Sequence, residues 1–431
     1  MSEDRFIFNG WKADREKRNF SFLYSIIREN EQFELTQTLI FPKPFSEEQI
    51  DHIHPTLDFL SLALGASYWK MFCPRIMETP HIKLSQKQAE FWNTVYTKGL
   101  GEFFYKNKID FRGLVAFPVS KKAVEKAYIR SVSDMGKTPR ALVLFGGGKD
   151  SLVTAEMLKQ SKKQFSFFAL GDFPILKEPA KTAEVELITV SRSMDPKFFE
   201  LSGRTDVYNG HVPISLFYSG TALLTAQLYG FDEVVISAEH SANYGNVEYL
   251  GETINHQWSK SEEAETLLRS YIRSFITEDI EYHSLIRDMH EIQVAELFSH
   301  YPKYLDVFSS CNMNFSLTKI AKKKWCGECP KCAFVFAILS PFIPKQKLVS
   351  VFNKNLFADE ALLPTYRELL GLEAFKPFEC VGTPEETKLA FLFAHQKGEY
   401  ENDAAMKQFV SLCKDEFTGI EKSKKKLLPN I

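Results

Sequence analysis

Ala141-Leu-Val-Leu-Phe-Gly-Gly-Gly-Lys-Asp-Ser-Leu-Val-Thr154 is the stretch on which the reading of this chain turns. An apolar run, Ala141 to Phe145, stops at three glycines, and a helical pattern follows in which Leu152, Ala155 and Leu158 share one face. Strand, glycine turn and helix make an anion site: glycine lets the backbone approach a phosphate, and the unpaired N–H groups of the helix start point at it. The Walker A loop is excluded, because Gly148-Lys149 is followed by Asp150 and the position of its first glycine holds Val143. A Gly-x-Gly-x-x-Gly fingerprint cannot be laid on these residues either.

Gly146-Gly-Gly-Lys-Asp-Ser151 resembles the loop of the PP-loop ATP pyrophosphatases, Ser-Gly-Gly-x-Asp-Ser, with Gly146 where that loop has serine. The resemblance implies cleavage of ATP between the α and β phosphates and adenylation of a substrate oxygen. An ordinary glycine-rich turn is the plainer alternative. Around the turn the pattern is α/β. Strands are expected at 141–145, 165–170, 185–190 and 233–237, with helices from Ser151, after Asp195-Pro196 and over 214–228. Such alternation predicts a parallel sheet whose carboxyl edge gathers Gly146–Ser151, Gly171-Asp172 and Ala238-Glu239-His240.

Before this region, residues 1–130 read as an N-terminal α+β domain. Antiparallel strands are expected up to about residue 45, with a turn at Glu29-Asn30-Glu31. Two capping boxes, Ser46-Glu-Glu-Gln49 and Ser85-Gln-Lys-Gln88, open helices. Pro55 should interrupt the first and Gly99 should end the second. Gly99–Tyr105 reads as a helix end packed on the core, or else as a border of the active site. Residues 131–345 form the expected PP-loop ATP-binding domain with a cysteine cluster, and 346–431 a helical C-terminal region whose lysines (Lys422, Lys424–Lys426) are solvated.

With 53 basic and 55 acidic residues the net charge is −2, which gives no bulk reason to bind nucleic acid or an anionic membrane. No run of 18 apolar residues exists and Met1-Ser-Glu-Asp-Arg is no signal peptide, so the expectation is a soluble cytoplasmic protein. Seven cysteines in such a chain point to metal or chemistry rather than disulfides. Cys326-Gly-Glu-Cys-Pro-Lys-Cys332, with Cys311 upstream, supplies the four thiolates of a closed structural zinc site; an iron–sulfur cluster suits the same spacing. Cys73, Cys380 and Cys413 are isolated and expected as small buried hydrophobes, although the acid and glycine beside Cys380 leave it open to catalysis.

Gly99-Leu-Gly-Glu-Phe, Gly146–Ser151, Asn209-Gly-His-Val-Pro213, Asn255-His-Gln-Trp-Ser-Lys260, Trp325–Cys332 and Lys376-Pro-Phe-Glu-Cys-Val-Gly382 together resemble, in order, the MurL family of UDP-N-acetyl-α-D-muramoyl-L-alanyl-L-glutamate epimerases. The resemblance runs from about residue 60 to 410. It implies ATP- and Mg²⁺-dependent inversion of the terminal L-glutamate of UDP-MurNAc-L-Ala-L-Glu, with AMP and pyrophosphate released. On that reading Gly146, Gly147, Gly148 and Ser151 hold phosphate, Lys149 supplies charge and Asp150 holds Mg²⁺. The inverting base is sought among His211, Glu239, His240, His256 and Cys380. Asn209, Asn243, Arg273 and Arg287 are candidates for orienting substrate amides and acids. Another PP-loop amidotransferase, close to 7-cyano-7-deazaguanine synthase, and a non-catalytic nucleotide-binding zinc module are the competing readings. Oligomeric state is not legible.

Overall fold

Eleven strands occur among the residues described by the computed structural model, which are 4–123, 139–315, 323–373 and 375–428. They are β1 (Arg5–Asp14), β2 (Asn19–Arg28), β3 (Glu31–Ile40), β4 (Ile76–Glu78), β5 (Arg140–Leu144), β6 (Gln164–Leu170), β7 (Leu187–Met194), β8 (Glu233–Ile236), β9 (Val247–Tyr249), β10 (Glu252–Ile254) and β11 (Glu281–Ser284). β9 and β10 form a small hairpin, and the other nine make one sheet in the order β11-β8-β5-β6-β7-β3-β2-β1-β4. From β11 to β7 neighbouring strands are parallel. β3 then joins β7 antiparallel through Gln37–Ile40, and β3, β2 and β1 continue as a meander. The chain is therefore mixed α/β, and its sheet runs unbroken from the first strands into the parallel set. The domain boundary expected near residue 130 lies outside the described residues.

The apolar run of β5 is explained by burial on both faces. Ala141 and Val143 join Phe167, Ala169 and Val235 in one core, while Leu142 joins Phe168, Leu170 and Val234 in the other. Helices cover both sides, as a parallel sheet requires. Helix 214–229 crosses the long helix Glu47–Trp69 on one side at Gly220, where a Cβ would lie 2.7 Å from Phe59 Cε1. On the other side lie the helices Lys149–Gln160, Glu291–Ser299 and Pro330–Leu339.

Helix Glu47–Trp69 runs straight through Pro55, contrary to the expected interruption. Proline removes one bond and costs about 3 kcal/mol. The turn it disturbs, at Asp51 and His52, is exposed, whereas every residue but Asp58 from Thr56 to Trp69 is buried. Each large apolar side chain there contributes about 1.5–3 kcal/mol, so packing outweighs the local defect. The C-terminal region is helical as read, in Lys345–Phe352, Leu363–Leu369, Pro384–Gln396, Ala404–Cys413 and Phe417–Leu427. The lysines of the tail lie on the last helix, where Lys426 pairs with Glu385 at 3.2 Å. Among the described residues no helix is long and apolar enough to cross a membrane.

Candidate active site

At the carboxyl end of β5 the chain turns on Gly147, whose φ of 69° is left-handed and whose Cβ would meet Leu176 Cδ2 at 3.0 Å. A Cβ on Gly148 would lie 3.1 Å from Ser310 Cβ, whereas one on Gly146 would meet nothing within 4 Å. The turn is thus packed on one side and open on the other. Gly148 is the N-cap of helix Lys149–Gln160, no side chain caps that end, and the Ser151 hydroxyl donates to the Gly148 carbonyl at 3.1 Å. The Ser309 N–H donates to the Gly147 carbonyl at 3.1 Å and ties the turn to the segment leading to Cys311.

Behind the turn, Lys149 is buried between the carboxylates of Asp150 and Glu291 and contacts both. Burial opposes its charge, yet Asp150, Glu291 and Glu239 hold its pKa above the usual lysine range. Asp150 is likewise opposed by burial but held low by Lys149, Lys331 and Lys260. Glu239 and Glu291 are pushed up, first by burial and then by neighbouring acids, Asp150 in both cases. Three carboxylates thus gather around the buried Lys149, with Lys260 and Lys331 also acting on them.

Lys260 links this acidic group to a second cluster. Its ammonium feels the charges of Glu239 and Asp150 and donates to Cys380 Sγ at 3.4 Å. Cys380 also contacts His256, whose Nδ1 bonds Glu102; the same Glu102 oxygen lies 3.3 Å from His211 Nδ1. The two imidazoles stand 4.8 Å apart, centre to centre. Burial works against the Cys380 thiolate, but Lys260, His256 and Lys331 hold the thiol well below its ordinary pKa. His256 is opposed by burial and raised to about 9 by Cys380 and Glu102. Burial and the His256 cation push His211 down to about 3. Glu102, against its burial, is held at about 2 by the two histidines and Lys106. The result is a neutral His211 and a protonated His256 bridged by one carboxylate. Glu102, His211 and His256 also have the composition of a metal site, their ligating atoms within 4.8 Å of one another.

The pair gives a pH signature. Glu102 starts from 4.5 and falls, so its stabilisation is present above 4.5 and lost as pH drops towards about 2. His256 starts from 6.5 and rises, so its contribution is full below 6.5 and lost as pH climbs through about 9. The gap in melting temperature between wild type and His256→Asn should therefore be widest near pH 5–6.5 and close above about 9. A gap independent of pH would refute the ion pair.

The loop carrying Cys380 is fastened from several sides. Asn246 Nδ2 donates to the carbonyls of Lys376 and Pro377 at 3.1 and 2.8 Å, and Gln257 Nε2 to that of Val381 at 3.1 Å. Lys331 Nζ donates to the Cys380 carbonyl, and Asn312 Nδ2 to Glu379. Those last two residues flank thiols. The sulfurs of Cys311, Cys326, Cys329 and Cys332 all lie within 4.8 Å of one another, close to the separation of about 3.8 Å that a tetrahedral site with Zn–S bonds of about 2.3 Å imposes.

Several other candidates lie elsewhere. His240 is exposed and meets His290 edge-on, 4.8 Å centre to centre, in a cleft of about 1380 Å³ shared with Lys376, Lys388 and the last helix. Asn209 donates to Ser202 and accepts from Asn107, and Asn243 accepts from the Glu262 N–H. Arg287 is bidentate to Glu265 and donates to the Glu239 and Lys260 carbonyls, so it positions those two residues. Arg273 is exposed. Cys73 and Cys413 are buried, as read, whereas Cys380 is only partly covered and lies among cations rather than in apolar packing. Residue-type reasoning missed Glu102, Lys260, Glu291 and Lys331. Three of these sit inside motifs already quoted; Glu291, beside Asp288 and His290, lies outside them.

A cradle for an anion on a parallel sheet, continuous with groups poised to move protons, is the equipment of an enzyme. The MurL N-terminal domain matches residues 1–285 and the MurL C-terminal domain residues 307–424. The chain is 35% identical over 382 residues to the UDP-N-acetyl-alpha-D-muramoyl-L-alanyl-L-glutamate epimerase of Xanthomonas oryzae pv. oryzae, covering 88% of this chain and 83% of that one. Likenesses of 33% and 34% to the epimerases of the same name from Micromonospora sp. and Salinispora tropica cover 94% and 92% of this chain and 90% and 86% of theirs. The chain belongs to the MurL family, and it is an isomerase.

Proposed function

We propose that this enzyme inverts the terminal L-glutamate of UDP-MurNAc-L-Ala-L-Glu in peptidoglycan precursor synthesis, consuming ATP by the chemistry of the PP-loop pyrophosphatases. One observation carries the reading: Lys260 joins the Lys149–Asp150 group at the glycine turn to the Cys380–His256–Glu102–His211 cluster, so activation and proton transfer share one site. Removing an α-proton beside a free carboxylate would put a second negative charge next to the first. Adenylation removes that obstacle and makes the carbonyl electron-withdrawing.

The N–H groups of Gly147 to Ser151 bind the ATP phosphates, the Lys149 ammonium supplies positive charge from behind them, and Lys260 neutralises the reacting carboxylate. Asp150, with Glu239 and Glu291, would hold Mg²⁺, which screens phosphate charge. His211 and His256, both touching Glu102, form the group that exchanges the α-proton, with Glu102 able to carry a proton between the two rings. The four thiolates would hold zinc, closed to chemistry, and fix the segment that packs on the turn. The cleft at His240 has room for the nucleotide-sugar end, and it takes its lining from residue 240 onward rather than from the N-terminal strands. Such substrates place the reaction in the cytoplasm.

The test is incubation with ATP, Mg²⁺ and UDP-MurNAc-L-Ala-L-Glu in deuterated water. AMP together with deuterium at the glutamate α-carbon and D-configuration supports the reading. AMP without exchange would mark a ligase or amidotransferase, and neither signal a binding module.

A further inference from the structure

Cys380, His256 and Glu102 come from three separate segments and meet in series: sulfur to imidazole, imidazole Nδ1 to carboxylate. A nucleophile beside an imidazole that a third, acidic group orients is the arrangement of covalent acyl transfer. We propose that Cys380 is the nucleophile of a covalent step, receiving the activated glutamyl group from AMP as a thioester on which the inversion takes place. This rests on the adenylation described under Proposed function.

Position supports it. Lys260 Nζ lies 3.4 Å from the sulfur and also feels Asp150 and Glu239, so the thiolate borders the phosphate cradle where an acyl adenylate forms. Lys331 fixes the Cys380 carbonyl, and Asn246 and Gln257 hold the loop, so the sulfur is held in place. Chemistry separates this role from that of base. A thiolate held by two ammoniums and an imidazolium is a poor acceptor for a carbon-bound proton. Its nucleophilicity falls only about half as steeply as its basicity, with a Brønsted slope of about 0.4–0.5. The same cations that unfit Cys380 as the inverting base leave it able to attack a carbonyl. A thioester resists water better than an acyl phosphate while keeping its α-hydrogen acidic, because sulfur donates weakly into the carbonyl.

The steps balance without any oxidant or further reactant. The Cys380 thiolate attacks the carbonyl carbon of the glutamyl adenylate; the C–S bond forms, the C–O bond to phosphate breaks, and AMP leaves with the electron pair. The α-proton leaves to the His211–Glu102–His256 group and another returns from it. Water then adds to the carbonyl and gives up one proton to solvent, the C–S bond breaks, the sulfur departs as thiolate, and the carboxylic acid so formed loses a second proton to become carboxylate.

Wild-type protein mixed with ATP, Mg²⁺ and UDP-MurNAc-L-Ala-L-Glu is quenched in acid from milliseconds onward and weighed intact. The expected result is a mass gain equal to the substrate less one water, located on the peptide bearing Cys380 and removed by neutral hydroxylamine. Cys380→Ala should still release one pyrophosphate per chain, which shows an intact fold and cradle, while α-deuterium exchange falls at least about a hundredfold. AMP release by wild type with no adduct on that peptide, or exchange at the wild-type rate in Cys380→Ala, overturns the thioester and leaves the adenylation reading standing. No AMP from wild type removes both.

Discussion

Asp150→Ala should abolish formation of AMP and pyrophosphate while the protein stays folded. Asp150 stands in the first turn of helix Lys149–Gln160, beside the open face of the glycine turn, and its carboxylate is the one held firmly ionised among the three acids around Lys149. Losing it removes the strongest oxygen donor for a cation and the group that keeps Lys149 poised at the phosphates. Electrostatic groups of this kind are worth about 10²–10³ in rate each, and more where a metal is lost with them. Folding is spared because Lys149 keeps Glu291 as a buried partner. The right control is Asp172→Ala: Asp172 follows β6 at the same edge of the sheet but is exposed and paired with Lys177 at 3.2 Å. Pyrophosphate release should vanish in the first variant and persist in the second; normal release in Asp150→Ala would sink the assignment.

Removing one thiol of the cluster should injure both halves of the site at once. Cys329→Ser, or exposure to a strong chelator, is expected to drop zinc from one per chain to none and to lower the melting temperature steeply. Structural zinc is worth about 10–16 kcal/mol in small metal-dependent folds; here a large core limits the damage to the metal's surroundings. Those surroundings are the site itself. The segment that ends in Cys311 holds Gly147 through Ser309, Asn312 reaches Glu379, and Lys331 grips the carbonyl of Cys380. ATP binding and the reactivity of Cys380 should therefore weaken together, read as the dissociation constant for ATP and the rate of alkylation by iodoacetamide. Full activity in metal-free protein, with neither zinc nor iron found, would remove the cluster's role.

What the sequence revealed followed from how local each signal is. β5, the glycine turn and the helix after it are written in contiguous residues, as are the capping boxes at Ser46 and Ser85 and the spacing of the four cysteines. Pro55 misled because its local cost is visible and the burial that overcomes it is not. Glu102, His256 and Cys380 lie in three distant motifs, and nothing in the chain's order says that one carboxylate bridges two rings. His240 had the right chemistry and follows directly on Glu239, yet it opens the short helix His240–Asn243 beyond the end of β8 and faces the cleft with His290.

The order of strands has a consequence for how this protein avoids its own copies. A sheet must end somewhere, and each end is a row of unpaired backbone groups ready to template another chain. Here the ends are β4, three residues long, and β11, four residues long, while the ten-residue β3 and the eight-residue β7 lie in the interior and join through four residues of each. Separating the meander from the parallel strands would expose the four paired residues on each side, Gln37–Ile40 and Ser191–Met194. The pairing of β3 with β7 thus serves as a guard against fibres as well as a joint between two kinds of sheet.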